Sequence, residues 1–433
     1  MKRVMAICLA GLFSSGAPAA DLMQIYRDAL ANDARFAAAR AQREAGQEKV
    51  VQGLSGLLPQ IGAAASTTWN QAETRTGQGR IDRDYNSNGY SVQLTQPLFR
   101  WQNWVEYKQG GLQTALADSQ FGIAQQDLVL RVADAYFNVL NAQDALAAVT
   151  QLRAAAAEQR QLANASFEVG TVTITDVHEA QSRYDLAVAQ EIAAQNQLEV
   201  ARQTLAQIIG KQPEPLATLR PGVALQRPQP DDIADWVSAA EAGSLSVQAQ
   251  QLVREIAARE VERAQAGHLP TVDIVATHGL NNRPAITTDR SESTTIGLQL
   301  NLPLYSGGRT SSVSREAAAL RMKADSDLED ARRSAALAAR QSWLGVTSGL
   351  AQVTALEAAR VSSTSALEAN KLGYEVGVRI NIDVLNAQSQ LADTLQRLAR
   401  ARYDTLLAQL RLKAAAGTLG EADVQAINAL LTQ

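Results

Sequence analysis

Cysteine is nearly absent: the 433-residue chain carries one, Cys8, which excludes a disulfide framework and any multi-cysteine zinc site. Its three histidines, His178, His268 and His278, share no H-x-x-x-H or Cys/His spacing, so no histidine metal cluster is suggested. No G-x-S-x-G, phosphate-loop or dinucleotide motif opens a helix after a strand, and Gly307-Gly308 lacks the lysine of a phosphate loop. Neither an enzyme nor a cofactor is expected. Charge is scarce at 19%, against about 25% in ordinary soluble domains. The 40 basic and 44 acidic side chains leave a formal −4, a poor match for phosphate backbones, and nucleic acid is not an expected partner. After Asp21 no apolar stretch approaches the roughly 18 residues of a spanning helix.

The first twenty residues do hold a short apolar run. Lys2 and Arg3 precede Val4 to Phe13, and small residues end in Ala17-Pro18-Ala19-Ala20. This is the layout of a secretory signal, with cleavage expected after Ala19 or Ala20. About ten apolar residues are too few to cross a hydrocarbon layer of ~30 Å as a helix. Cleavage would remove Cys8 and leave no thiol. An exported chain without a spanning helix is either soluble or inserted as a β-barrel.

The chain is written twice. Phe167-Glu168-Val169-Gly170, followed by Asp176-Val177, returns as Tyr374-Glu375-Val376-Gly377 followed by Asp383-Val384, an offset of 377 − 170 = 207. Ala180-Gln181-Ser182 matches Ala387-Gln388-Ser389, and Leu58-Pro59-Gln60-Ile61 mirrors Leu269-Pro270-Thr271-Val272. Low-complexity sequence would not align single prolines and glycines in this way. Between the copies, Pro213 to Pro230 holds five of the eleven prolines and reads as an extended linker. The expected division is signal 1–20, first repeat 21–210, linker 211–230, second repeat 231–417 and C-terminal segment 418–433.

Each copy reads as helix, strand pair, very long helix, turn and long helix, a mainly α chain with a small β part. Ile61-Ala63-Ala65-Thr67-Trp69 and Tyr90-Val92-Leu94 alternate with small or polar residues, as strands do. Thr271 to Ala276 and Ile296-Leu298-Leu300-Leu302 repeat the pattern. Polar stretches between them, with Gly77, Gly79, Asp82, Asn86 and Asn88 in one copy and Asn281, Asn282, Asp289 and Ser291 in the other, are expected as loops. Arg309 to Gly373 contains no proline, and Trp101 to Phe167 is similar in length. Each would make a helix of roughly 100 Å at ~1.5 Å per residue. Their apolar content is mostly alanine, which suits close helix packing better than a thick core.

Four strands cannot close a barrel, since the smallest need about eight. The alternatives are a soluble sheet with exposed edges or closure by several chains. Seven aromatics lie between Trp69 and Tyr107: Trp69, Tyr85, Tyr90, Phe99, Trp101, Trp104 and Tyr107. They read either as an interfacial girdle or as a local core beneath a hairpin.

Several segments resemble the TolC family of outer-membrane efflux and secretion channels. They are Gly267-His268-Leu269-Pro270-Thr271-Val272-Asp273, Leu302-Pro303-Leu304-Tyr305-Ser306-Gly307-Gly308, and Gly373 to Arg379 running on to Ile382-Asp383-Val384-Leu385. Val169-Gly170-Thr171 through Ile174-Thr175-Asp176-Val177 belongs with them. The resemblance implies a homotrimer with a 12-stranded outer-membrane β-barrel, four strands per chain, continued by a periplasmic α-helical barrel. The linker and the C-terminal segment would form a belt around that barrel. The partners implied are a periplasmic adaptor and an inner-membrane transporter of RND or ABC type, and the cargo drugs or type I secreted proteins. Opening would be iris-like, at the end carrying the helix turns. By matched position, Tyr374 and Arg379 would latch onto Thr175 and Asp176 of the other hairpin, and Asp383 from three chains would ring the constriction. Asn386 stands where a second acidic ring would use Asp.

Read without the resemblance, the same residues are plainer. Gly170 and Gly377 suit helix C-termini, and Asp176 and Asp383 suit N-caps, with Glu179 at capping-box spacing from Asp176. A soluble periplasmic coiled-coil adaptor is the alternative to a channel, though it leaves the alternating strands without a purpose.

Overall fold

Proline and glycine punctuate a chain otherwise rich in helix formers, and the elements fall between them. The computed structural model describes residues 19–77, 79–285 and 288–432; the signal segment up to residue 18 lies outside them. The first copy contains α1 (Leu22–Asn32), α2 (Ala34–Ser55), β1 (Gln60–Thr76), β2 (Gly79–Phe99), α3 (Trp101–Glu168) and α4 (Ile174–Ile209). The second contains α5 (Ile233–Gly243), α6 (Leu245–Gln265), β3 (Thr271–Ala285), β4 (Thr288–Asn301), α7 (Arg309–Glu375) and α8 (Asn381–Ala415), and α9 (Glu421–Asn428) follows. The duplicated order is the one the sequence implies.

The chain divides into two compact units. Among the described residues, one comprises those up to Ala37, Gln125–Val237 and those from Ala338 onward; the other comprises Ala38–Ala124 and Ser238–Leu337. In the first, large side chains gather where α1, α3, α4 and α8 carry Ile25, Tyr136, Phe137, Leu205, Ile209, Leu406 and Leu410, all buried. Phe137 stacks on Tyr403 with centroids 5.5 Å apart, and the Tyr136 hydroxyl donates to the Ala217 carbonyl at 2.6 Å. That bond ties the proline-rich segment to the helices. The same segment is held by short bridges, Ala20 with Leu216 and Leu219 with Leu431. Elsewhere the long helices bury alanines, among them Ala156, Ala163, Ala180, Ala187 and Ala339.

In the second unit α2 packs so closely on α3 that a Cβ added at Gly110 would lie 2.5 Å from the Lys49 carbonyl oxygen. The four strands form one antiparallel sheet in the order β1-β2-β3-β4. These strands are longer than expected. Asn86, Asn88, Asn281, Asn282 and Ser291, expected in loops, are paired strand residues. Backbone ladders do not depend on apolar side chains, and here polar ones bond across the strands. The Asn70 amide donates to the Ser87 hydroxyl at 2.8 Å, and that of Asn282 to the Asn88 carbonyl at 3.0 Å. The expected surface segments Arg80 to Asp84 and Asp289 to Glu292 are thus strand residues near the hairpin ends.

Candidate functional site at the helix turns and the sheet

Two turns of equivalent sequence end the long helices. Gly170 (φ 75°) and Gly377 (φ 78°) are left-handed, a backbone that costs glycine nothing. The Gly170 and Thr171 amides donate to the Phe167 and Ser166 carbonyls at 2.9 Å each. Gly377 and Val378 repeat the pattern on Tyr374 and Gly373 at 3.1 and 2.9 Å. Both are Schellman closures, which satisfy the last carbonyls of α3 and α7.

The caps that follow differ from expectation. Thr173, not Asp176, is the N-cap of α4, and Asp176 is the third helical residue of a capping box whose partner is Thr173 rather than Glu179. The Thr173 amide and hydroxyl both donate to Asp176 Oδ2 at 2.8 Å, which holds the carboxyl below its usual range. The difference is one of register: the capping-box carboxylate stands three residues after the cap, and Thr173 fills the cap position. Ile380 is likewise the N-cap of α8 and Asp383 sits in its first turn, near the positive helix end.

Of the residues matched to a latch, Arg379 lies 3.6 Å from Asp383 of its own chain, an i,i+4 pair. Asp176 is engaged with Thr173, while Thr175 is exposed and Tyr374 half-buried. Asn386 accepts from Arg183 at 3.2 Å, a contact between α8 and α4 that the sequence did not signal. Around the turns, Phe167, Val169, Ile174, Leu372, Val376, Val378 and Ile380 are all exposed. Apolar side chains massed at a turn mark a surface built to be covered.

The sheet has two unlike faces. Ile61, Leu94, Ala276 and Ile296 form one row across it, and Gln96, Ile274 and Leu298 the next row on that face. Gly62, Gln93, Thr277 and Thr295 form a row on the opposite face, with Ala64, Ser91, Gly279 and Ser293 beside them. The apolar face is open: Ile296, Leu298 and Leu300 are 78%, 69% and 65% exposed, and Trp69 is 84%. With Tyr90, Phe99, Trp101 and Trp104 exposed too, the aromatics do not form a local core. β1 and β4 are the edges of the sheet. On the polar side, Asp273 is buried and receives two hydrogen bonds from Arg100, at 2.6 and 2.7 Å.

No helix among the described residues is long and apolar enough to cross a membrane. A sheet with one exposed apolar face, together with long helical hairpins, defines the class: a channel-forming protein of the outer membrane. The family described as "Outer membrane efflux protein" matches residues 25–211 and 236–418, and the chain belongs to it. The outer membrane protein TolC of Vibrio cholerae is 35% identical over 97% of this chain and 95% of its own length. The alkaline protease secretion protein AprF of Pseudomonas aeruginosa is 33% identical, covering 96% and 89%. The crystal structure of the Campylobacter jejuni CmeC outer membrane channel superposes with a TM-score of 0.80 over 94% of this chain and 89% of that one, at 16% identity. The adaptor alternative is set aside, because it has no use for the exposed apolar face.

Proposed function

We propose that three copies of this chain close one barrel of twelve strands and conduct exported substrates, drugs or type I secreted proteins, from the periplasm through the outer membrane. The observation that carries this reading is the amphipathic sheet with two unpaired edges. In hydrocarbon each unpaired backbone group costs several kcal/mol, so such a sheet inserts only when β4 of one chain meets β1 of the next. The chain is not an enzyme on this reading: it relays passively, without a cofactor, what its partners push.

Those partners are a periplasmic adaptor and an inner-membrane transporter of RND or ABC type. The exposed apolar residues of the two helix turns support a docking surface there. Tyr374 and Arg379 would hold the closed state against Thr175 and Asp176, and Asp383 from three chains would face the constriction. Asp176 Oδ1 is the carboxylate oxygen left for such a donor once Thr173 has taken Oδ2. Opening is an iris-like separation of these hairpins.

Residues 1–19 serve export, and cleavage falls after Ala19. Two observations favour that position over Ala20. Ala17 and Ala19 complete the A-x-A signal. Ala20 belongs to the folded chain: its amide donates to the Pro215 carbonyl at 2.8 Å, and its carbonyl accepts from Ala217 at 3.0 Å. N-terminal sequencing of the exported protein should begin at Ala20.

A photo-crosslinker at Val169 or Val378, in intact cells, tests the partner assignment. Capture of a periplasmic adaptor from these positions, and not from Trp69 on the sheet, is expected. Equal capture from the sheet, or release of the chain from outer membranes by alkaline carbonate, would contradict the reading.

A further inference from the structure

Two fixed offsets relate the strands of the two copies. Pro59 and Pro270, in their matching segments, set β3 at 270 − 59 = 211 from β1, and Pro97 and Pro303 set β4 at 303 − 97 = 206 from β2. The hairpins bear both out: Ile61 pairs with Leu94, and the shifted residues Val272 and Leu300 pair in turn. Where the copies meet inside the chain, β2 pairs with β3: Leu94 with Ala276, Val92 with His278, Tyr90 with Leu280 and last Asn88 with Asn282. At the other boundary β4 is a sheet edge. Exposure follows that difference. Tyr90 and Val92, with β3 beside them, are 48% and 41% exposed, whereas their counterparts Ile296 and Leu298 are 78% and 69% exposed.

We propose that the seam between subunits copies the junction inside the chain, so that β4 meets β1 of the next subunit in one definite register. The inference rests on the reading above, in which three copies close the barrel. Shifting the β2–β3 pairs by the two offsets sets Leu300 opposite Ala65 of the partner subunit, Leu298 opposite Thr67 of the partner subunit and Ile296 opposite Trp69 of the partner subunit. The faces agree without having been imposed. Ile61, Leu94, Ala276 and Ile296 form one row, so odd residues of β1 and even residues of β4 share the apolar face. Sizes agree too: each leucine meets a small side chain, and Ile296 lies against an indole. The shifted pairing ends with Thr294 opposite Gln71 of the partner subunit, short of the charged hairpin ends. There Glu73 is answered by Arg80 at 3.0 Å and Arg290 by Glu292 at 3.4 Å, each within its own chain. A slip of two residues would set Arg290 against Glu73 of the partner subunit, but one exposed ion pair is too weak to choose the register over the apolar rows.

The test is disulfide formation in outer membranes between cysteines placed in β1 and β4, one pair per protein. Cys8 leaves with the export signal, so no other thiol competes. Ala65→Cys with Leu300→Cys, and Thr67→Cys with Leu298→Cys, report the proposed register. Ala65→Cys with Leu298→Cys, and Thr67→Cys with Leu300→Cys, report slips of two in either direction. Residues directly opposite have Cα atoms about 4.5–5.5 Å apart, within disulfide reach, and a slip of two takes them to roughly 7–8 Å. After mild oxidation, denaturing gels without reductant should show chains joined covalently, up to rings of three, at least tenfold more from the first two proteins than from the slipped pairs. Native mass under reducing conditions reports assembly of the same proteins separately. Three-chain particles that link only through a slipped pair, or through none, overturn the register and leave the barrel reading standing. Folded particles of one chain mass, or a disulfide closed inside one chain, overturn the barrel reading and this inference with it.

Discussion

Replacing Arg379 with serine tests the gate. In the chain the guanidinium lies 3.6 Å from Asp383, with the two side chains 59% and 33% exposed. Whichever carboxylate it meets in the closed trimer, a pair this wet is worth about 0.2–1 kcal/mol. Symmetry repeats the loss in three chains, so the closed state should lose about 0.6–3 kcal/mol. At about 1.4 kcal/mol per factor of ten, the open-to-closed ratio should rise by roughly 3- to 150-fold. Single-channel recording reads this as more frequent or longer openings at unchanged unit conductance. Tyr374→Phe, which removes only a hydroxyl, should move the ratio the same way and less. Acid supplies a second handle: hydrogen bonds from the Thr173 side chain and backbone hold Asp176 below the usual carboxylate range, so it stays charged through the pH range in which ordinary carboxylates take up a proton. Openings should therefore be insensitive to pH near neutrality and increase only in strong acid. Trimers that conduct, with openings unaltered by either substitution, would refute the latch.

Further outcomes follow from groups away from the gate. Asp33 is buried, caps α2 by accepting from the Phe36 amide at 2.7 Å, and accepts twice from Arg131 at 2.9 and 3.1 Å. Asp33→Ala should cost about 2–4 kcal/mol, near ~1 for the cap and the rest for stranding a guanidinium that keeps only Asp127. Thermal unfolding followed by circular dichroism reads the loss. Hydrogen bonding from Arg131 lowers the Asp33 pKa, so its contribution is present above the ordinary carboxylate range and disappears as the pH falls through the lowered value. Asp144 behaves oppositely: burial raises its pKa although it accepts from the Tyr403 hydroxyl at 2.7 Å. Its ionised form therefore burdens the fold at neutral pH, and stability should improve as the pH falls through the raised value. Asp144→Asn keeps an acceptor for Tyr403 and should remove that pH dependence, raising the neutral-pH melting temperature.

Much of this was legible in the residues. The helices α3 and α7 announced themselves by the absence of proline, and the repeat fixed their order twice. The strands were recognised only where apolar and polar residues alternate. Their outer parts, such as Asn86 and Asn282, carry polar side chains on both faces, so periodicity vanishes while backbone pairing continues. The turns were found from Gly170 and Gly377, whose left-handed backbone few other residues adopt. The cap register was missed at Thr173 because an acidic residue three positions into a helix and an N-cap carry overlapping preferences. The Arg183–Asn386 contact joins residues 386 − 183 = 203 positions apart and left no local mark.

The central claim concerns how the sheet closes, and the mass of the folded particle tests it most directly. Material extracted from outer membranes in mild detergent, weighed by native mass spectrometry after the detergent is stripped, should be three times a processed chain slightly lighter than 46.3 kDa. A folded, membrane-derived particle of one chain mass would contradict the account, because four strands would then have crossed the lipid with both edges bare.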